Sequence, residues 1–414
     1  MAIRTEEDSA LSLCHGSARE IAVADANTVA MIDINVLNKL NAPTKEERLA
    51  NLKEVLKDTV FPPMVSQYIN NHIHTTYSFS PYSPTAAVYA ARMEGLCTAG
   101  IIDHDSISGA REFLEAAKIV DIPVTIGMEA RVSMDGTRLE GRRTNNPDQV
   151  GVSYMTIQSV PHDKIDVLTE FFKPYQAARH ARNRKMIDKI NALVGVELDY
   201  DRDVLPLSEA ADNGGVTERH LMYALAIELV KQVGKGQTMI DKLTELGMNL
   251  SEKQKTLLMD TQYPFYEYDV LGMLKGTFVP KIFIDATDEC PKLQDMVKIC
   301  AEVDAYLCYA YLGDVGDSVT GDKKAQKFED DYLEDVFECL KEEGVKAVTY
   351  MPTRNTPAQL DRLRKLCDDY GMFQISGEDI NTPRQSFIIK AMENPMFQNL
   401  IDATWKLIEH ESNT

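Results

Sequence analysis

The chain of 414 residues lacks the features that define several large classes of protein. It has only seven cysteines, an odd number, and they are widely spread without a CxxC pair, which argues against a disulfide framework and a thiolate zinc site. No window approaches about 18 uninterrupted apolar residues, so we expect no transmembrane helix. The segment from Met1 to Ala10 is acidic and has no apolar core, so we also expect no signal peptide. These absences favour a reduced compartment, most simply the cytoplasm, and no membrane partner.

Basic side chains are scarce as well, with 44 Lys and Arg against 64 Asp and Glu and a formal net charge of −20. A protein that holds long stretches of nucleic acid needs a basic stripe facing the phosphates, and only short basic clusters are present here. We therefore expect no nucleic-acid polymer as a partner. A small anionic substrate remains compatible with this charge if a metal ion makes one pocket locally positive.

The remaining composition is that of an ordinary globular protein, 44% hydrophobic and 26% charged. Its length allows two or three domains, or one barrel-sized domain with insertions. Short apolar runs alternate with amphipathic helices in two separate segments, which predicts a parallel-strand α/β barrel whose halves flank a helical insertion. The expected order is an N-terminal helical extension, a first barrel half, a mostly helical insertion, and a second barrel half with a C-terminal helix, at 1–67, 68–144, 145–280 and 281–414.

Four of the short apolar runs end in residues that bind metals or transfer protons. In parallel α/β folds the carboxyl ends of the strands converge on one face, where sites are built. Four such endings therefore bring residues that are distant in sequence to one place. The endings are Asn71-His72-Ile73-His74, Asp103-His104-Asp105, Gly127-Met128-Glu129 and Gly377-Glu378-Asp379.

The spacing within these endings favours a cation site. His72 and His74 are two residues apart, so in an extended strand both imidazoles project from the same face and can bind one cation. Glu129 and Asp379 each follow a strand and supply hard carboxylates. His104 can be a further ligand, while a hydrogen-bonded turn at the start of the next helix is the alternative for its segment.

The order and spacing of these motifs resemble the PHP superfamily (polymerase and histidinol phosphatase) over most of residues 68–385. Thr217-Glu218-Arg219-His220-Leu221 is similar to the Arg-x-His segment in the helical insertion of small PHP phosphoesterases. The resemblance implies a distorted TIM-like (β/α)7 barrel with one to three divalent metals at its C-terminal face, hydrolysing phosphate esters. The motifs that carry it are His72-x-His74-Thr75-x-x-Ser78, Ile102-Asp103-His104-Asp105-Ser106, Gly127-x-Glu129 and Ser376-Gly377-x-Asp379.

The sequence departs from the family pattern at several ligand positions. Ser80, Tyr311 and Asn381 stand where the family usually has metal ligands. The retained ligands are His72, His74, His104, Glu129 and Asp379. Without His104 they still make a complete shell of two nitrogens and two oxygens, so we expect one firm site for zinc, manganese or iron, whereas a second site lacks its usual ligands.

The chemistry of phosphate ester hydrolysis indicates which types of residue could act in catalysis or bind the substrate. A general acid must protonate the leaving alkoxide, and Asp105, His104 or His220 could do so. For His220, a capping or core role is an equal alternative. Arginines clamp non-bridging phosphate oxygens, and a tyrosine can replace a lost histidine or merely fill its space. The predicted substrate-binding residues are Arg184, Arg219, Tyr311 and Arg384.

These features predict a metal-dependent phosphoesterase that hydrolyses a small phosphorylated metabolite or nucleotide. The lost ligands support an alternative, a catalytically degenerate PHP-like protein that binds metal or ligand without phosphatase turnover. A hydrolase or lyase of another class on the same barrel is a third hypothesis, because a fold does not fix a reaction. Homo-oligomer formation is left open by the sequence.

Overall fold

The computed structural model describes residues 32–316 and 326–412, and seven strands form one sheet in chain order. Neighbouring strands are parallel except β4, which runs antiparallel to both β3 and β5. The strands are β1 (Val65–Ile73), β2 (Leu96–His104), β3 (Val124–Ser133), β4 (Val152–Gln158), β5 (Tyr306–Ala310), β6 (Ala347–Tyr350) and β7 (Phe373–Ser376).

The sheet curls until its two edges meet. Ile73 at the end of β1 forms a parallel bridge with Ile380, just beyond β7. The His74 backbone N–H donates to the Ile380 carbonyl at 3.0 Å, and the Ile380 N–H donates to the His72 carbonyl at 3.1 Å. These bonds bring the last strand ending beside the first, so the predicted distorted seven-stranded barrel is confirmed.

Thirteen α-helices accompany the sheet in the described residues. They are α1 (Ile34–Leu40), α2 (Lys45–Val55), α3 (Pro84–Met93), α4 (Ala110–Val120), α5 (Ile165–Val194), α6 (Glu218–Val233), α7 (Gln237–Glu245), α8 (Glu252–Met259), α9 (Tyr266–Ile282), α10 (Leu293–Glu302), α11 (Leu333–Glu343), α12 (Pro357–Tyr370) and α13 (Gln398–Ser412).

The N-terminal helices are fastened to the barrel by a buried ion pair. The capping box from Thr44 to Glu47 begins α2, since each side chain accepts from the other residue's backbone N–H. Arg48 in the next turn pairs with Glu112 of α4 at 2.7 Å. Residues 1–31, part of the predicted extension, lie outside the described residues.

The helical insertion has a hydrophobic core of its own. Side chains from α5, α6, α7 and α9 pack together around Met186, Leu225 and Leu274, apart from the core of the barrel. One barrel strand, β4, nevertheless lies within the range 145–280 that the sequence pattern predicts to be mostly helical. Its sequence, VSYMTIQ, has no clean alternation of polar and apolar residues, because both of its faces are largely buried.

No helix in the described residues is both long enough and apolar enough to cross a lipid bilayer.

Candidate metal centre

Three of the predicted metal ligands converge where the carboxyl end of β1 lies near the middle of β3, because Glu129 lies within β3 and not after it as the sequence predicts. One ligand atom from each of His72, His74 and Glu129 lies within 4.8 Å of the others, and all three residues are buried. The His72 Nε2 atom is 3.8 Å from Oε2 of Glu129. The period of two in β1 and the parallel register of β1, β2 and β3 produce this convergence.

Each of the two imidazoles has a buried nitrogen that forms no hydrogen bond with the residues that the structure describes. These nitrogens are the Nε2 atoms of His72 and His74. A buried polar atom without a partner costs about 1–3 kcal/mol. A divalent cation would satisfy both nitrogens at once, and two imidazoles with carboxylates suit zinc, manganese or iron. The residues present therefore fit a metal ion.

Asp379 reaches the same group from the far edge of the sheet. Its Oδ1 atom is 3.0 Å from Nε2 of His74, although not in hydrogen-bond geometry. Burial raises the pKa of Asp379, but the neighbouring His74 and His72 hold it well below its usual range. Asn381 donates from its amide to Oδ1, and its own oxygen accepts from Arg219 at 2.5 Å. Asn381 thus connects the carboxylate of Asp379 to the guanidinium group of Arg219.

His104 lies beside the three-residue group rather than within it. Its Nδ1 atom is 3.0 Å from Oε2 of Glu129, and its ring stacks on that of His74 with centroids 4.5 Å apart. Burial raises the pKa of Glu129, but His104 and His72 lower it strongly, which keeps Glu129 a carboxylate. Burial lowers the pKa of His74, which favours its neutral form with a free lone pair.

A cavity of about 400 Å³ adjoins the metal-type residues, and His72, His104, Glu129 and Asp379 form part of its wall. Three cationic side chains also line it: Arg219 of α6, Lys275 of α9 and Arg354 after β6. None of the three has a carboxylate within 4.0 Å in the described ranges. Arg219 is the largest cause of a lowered pKa at Lys275, although the carboxylates of Asp148 and Asp379, which also line the cavity, partly oppose this effect.

Sequence reasoning missed Lys275 as a site residue. Lys275 lies in the middle of a helix of the insertion, 17 residues long, with no motif around it. Only the packing of α9 against α5 and α6 of the insertion brings it to the cavity. No signal in the sequence could have identified it.

Two of the predicted substrate-binding arginines lie elsewhere, which corrects their assignment. Arg184 pairs with Asp201 at 2.6 Å on the exposed side of α5. Arg384 pairs with Asp269 at 2.7 Å and stacks on the Tyr263 ring at 3.8 Å. Neither lines the cavity, because nearer carboxylates in the tertiary structure bind their guanidinium groups.

Tyr311 does line the cavity, but its hydroxyl donates to Oδ1 of Asp330 at 2.6 Å. Asp330 also accepts from Gln359 at 2.7 Å. The hydroxyl hydrogen of Tyr311 is therefore used inside the protein, and only its oxygen and ring are left to contact a substrate.

His220 and Asp105 have structural partners in place of the predicted catalytic roles. His220 is buried at the start of α6, where its Nδ1 accepts the Thr217 backbone N–H at 3.0 Å. Burial and Arg179 lower the pKa of His220 to about 3, so at neutral pH the ring is neutral and lacks the second proton that a general acid transfers. The Asp105 carboxylate binds the Arg179 guanidinium. His104 is the one predicted proton donor that faces the cavity.

Residues 70–155 match the family model of the PHP domain. Over 96 residues the chain is 33% identical to an error-prone DNA polymerase of Mycobacterium tuberculosis, covering 23% of this chain and 8% of that protein. Over 164 residues it is 30% identical to a 5'-3' exoribonuclease of Haemophilus influenzae, covering 40% of this chain and 50% of that protein. The chain thus spans at most about half the length of these curated relatives.

Two solved structures share the fold. A putative metal-dependent phosphoesterase from Bifidobacterium adolescentis aligns with a TM-score of 0.52 at 16% identity, over 82% of this chain and 98% of that one. An amidohydrolase from Chromobacterium violaceum, solved with bound sulfate and no metal, aligns with a TM-score of 0.52 at 15% identity, over 81% and 96%. At these identities the likeness concerns the barrel and not the substrate.

Proposed function

We propose that this chain, whose residues 70–155 match the PHP domain model, is a metal-dependent phosphoesterase acting on a small phosphorylated metabolite or nucleotide. The observation that supports this most is the pairing of two features in one cavity. Metal-type ligands with unsatisfied nitrogens form one wall, and three cations without carboxylate partners form others. Such a cavity attracts a phosphate dianion.

Each cavity residue has a role that its position supports. His72, His74 and Glu129, with Asp379 beside them, would hold a divalent cation, which would supply positive charge to polarise a phosphoryl oxygen and lower the pKa of water. Arg219 and Lys275 bind the non-bridging oxygens.

His104 is the proposed general acid. Because its Nδ1 contacts Glu129, its Nε2 is the atom from which a protonated ring would donate to the leaving alkoxide.

The size of the cavity favours a small substrate. Small-molecule sites are typically about 300–1,000 Å³, and this cavity falls in that range. The acidic net charge of the chain also disfavours a long nucleic acid. One relative is named an exoribonuclease, so the test must include a short 5'-phosphorylated RNA beside mononucleotides and sugar phosphates.

The test combines metal analysis with phosphate release. We expect bound metal and release of inorganic phosphate from at least one small monoester, with activity abolished in His74→Ala and Asp379→Ala. Arg184→Ala is a matched control, because this arginine lies outside the cavity. If RNA is cleaved and small monoesters are not, the substrate assignment is wrong.

One observation favours a second candidate, a PHP-like protein that binds metal without phosphatase turnover. Tyr311 and Asn381, at positions where the family usually has ligands, are engaged with Asp330 and Arg219. Bound metal without phosphate release from any tested ester would support this candidate.

A further inference from the structure

Asp103 organises the turn that follows β1, although sequence spacing gives it no assigned role. It lies at the end of β2 and only 1% of its surface is exposed. Its Oδ1 accepts from the Thr75 backbone N–H and from the Ser78 hydroxyl, both at 2.6 Å. Its Oδ2 accepts from the Thr75 hydroxyl at 2.6 Å. Three donors occupy this carboxylate, so it is not available as a metal ligand.

The Ser78 hydroxyl connects this carboxylate to His74. Its oxygen is 3.2 Å from Nδ1 of His74. A serine hydroxyl has one hydrogen, and here that hydrogen is directed to Asp103, because a carboxylate can only accept. The remaining role for Ser78 is to accept a hydrogen from Nδ1 of His74. The proton of the neutral imidazole is therefore on Nδ1, and the lone pair is on Nε2.

We propose that Asp103, acting through Ser78, is a positioning residue that fixes the tautomer and orientation of His74 so that Nε2 is presented to the metal. Nε2 of His74 is the buried atom without a hydrogen-bond partner in the described structure, and it faces the group formed with His72 and Glu129. A partner on the second ring nitrogen is what orients a histidine ligand in metal sites generally. This inference rests on the proposed metal site.

The first test measures zinc affinity of the full chain by competition with a chromophoric chelator. Ser78→Ala removes the link between Asp103 and His74, and we expect affinity to fall about 10–100-fold. Ser78→Thr keeps the hydroxyl and should recover most of that loss.

Thr75→Val is the matched control, since it removes a different hydroxyl from the same carboxylate without touching His74. We expect it to lower the melting temperature while zinc affinity changes less than about threefold. Equal losses of affinity in Ser78→Ala and Thr75→Val would overturn the proposal, because the effect would then be general loosening of the turn.

A second readout follows the ring directly. In ¹⁵N spectra of the histidine-labelled, zinc-loaded chain, His74 should show a protonated Nδ1 and a zinc-bound Nε2, and the reverse assignment would overturn the proposal. If the wild-type chain binds no zinc at all, the proposed function fails. If it binds zinc and Ser78→Ala binds it equally well, only the role of Asp103 and Ser78 fails.

Discussion

Two groups of buried ionisable side chains lie close together in this protein, and they differ in whether guanidinium–carboxylate ion pairs hold them together. Between the barrel and the insertion, three arginines pair with three carboxylates, and Glu218 contacts all three arginines at 2.7–3.2 Å. The members of this ion cluster are Arg131, Arg179, Arg182, Glu218, Glu289 and Asp105.

In the metal-type group, by contrast, the Nε2 atoms of His72 and His74 have no hydrogen-bond partner in the described residues. Charges that compensate one another hold a fold together. Imidazole nitrogens can bind a cation, and Nε2 of His72 and of His74 converge with Glu129. In the part of the chain that the structure describes, the unpartnered Nε of Arg131 and Nη2 of Arg182 in the ion cluster are hydrogen-bond donors and cannot do so. Burial alone does not distinguish the two groups, because His72, His74 and Glu129 are buried, as are the three arginines of the ion cluster.

The largest effect should come from removing a metal-type residue. His72→Gln keeps the Cβ but removes one metal ligand. We expect zinc affinity to fall at least about 100-fold, more than when Ser78, a hydrogen-bond partner of a ligand, is removed. The free energy of unfolding of the metal-free chain should change by less than about 1.5 kcal/mol, because no protein partner of Nε2 is lost. Chelator competition and urea unfolding measure the two quantities. A large loss of stability without metal would contradict the comparison.

The ion cluster should respond in the opposite way. Glu218→Gln leaves three guanidinium groups with one carboxylate fewer, and breaking such a buried network costs about 3–5 kcal/mol. Urea unfolding of the metal-free chain measures this loss. Glu170→Gln is the control, since Glu170 forms an exposed pair with Lys173 whose loss should cost about 0–1 kcal/mol. Equal stabilities of the two variants would show that the cluster does not hold the insertion to the barrel.

Replacing a cationic side chain of the cavity should lower the rate of substrate turnover and leave the stability of the fold unchanged. Lys275→Ala removes one charge-assisted contact to a phosphoryl oxygen, and we expect kcat/KM to fall about 10–100-fold, corresponding to about 1.5–3 kcal/mol. Metal content and melting temperature should stay at wild-type values. Unchanged kinetics on every active phosphoester would remove Lys275 from the substrate site.

The smallest effect concerns Glu329, which is buried behind the cavity wall and accepts the Leu312 backbone N–H at 2.9 Å. Burial raises its pKa to about 7, above the value expected in the unfolded chain. The folded state therefore binds the proton more tightly, and this group's contribution to stability is present below about pH 4.5 and is lost as the pH rises toward 7.

Glu329→Gln should flatten that dependence. Urea midpoints of both proteins, measured at intervals between pH 5 and pH 8, provide the check. Parallel curves for the variant and the wild type would show that Glu329 does not titrate in this window.

The strand endings explain why much of the site could be predicted. His72, His74 and Glu129 are set by strand period and by parallel pairing, which are local or nearly local properties of the sequence. Arg184 and Arg384 could not be excluded in the same way. Whether an arginine reaches a substrate depends on which carboxylate the tertiary structure places beside it, and here Asp201 and Asp269 bind them first.

The antiparallel direction of β4 identifies positions at which substitutions could change the substrate specificity of the cavity. His72, His74 and Glu129 lie toward one end of the barrel. A parallel strand is followed at this end by its connection, whereas the antiparallel strand β4 is preceded at this end by its connection. That connection contributes Asn145, Pro147 and Asp148 to the cavity and supplies none of the metal-type residues. Pro147 and Asp148 are therefore the natural positions for a substitution library, since they can be varied to reshape the substrate space while the ligand-bearing strands stay unchanged.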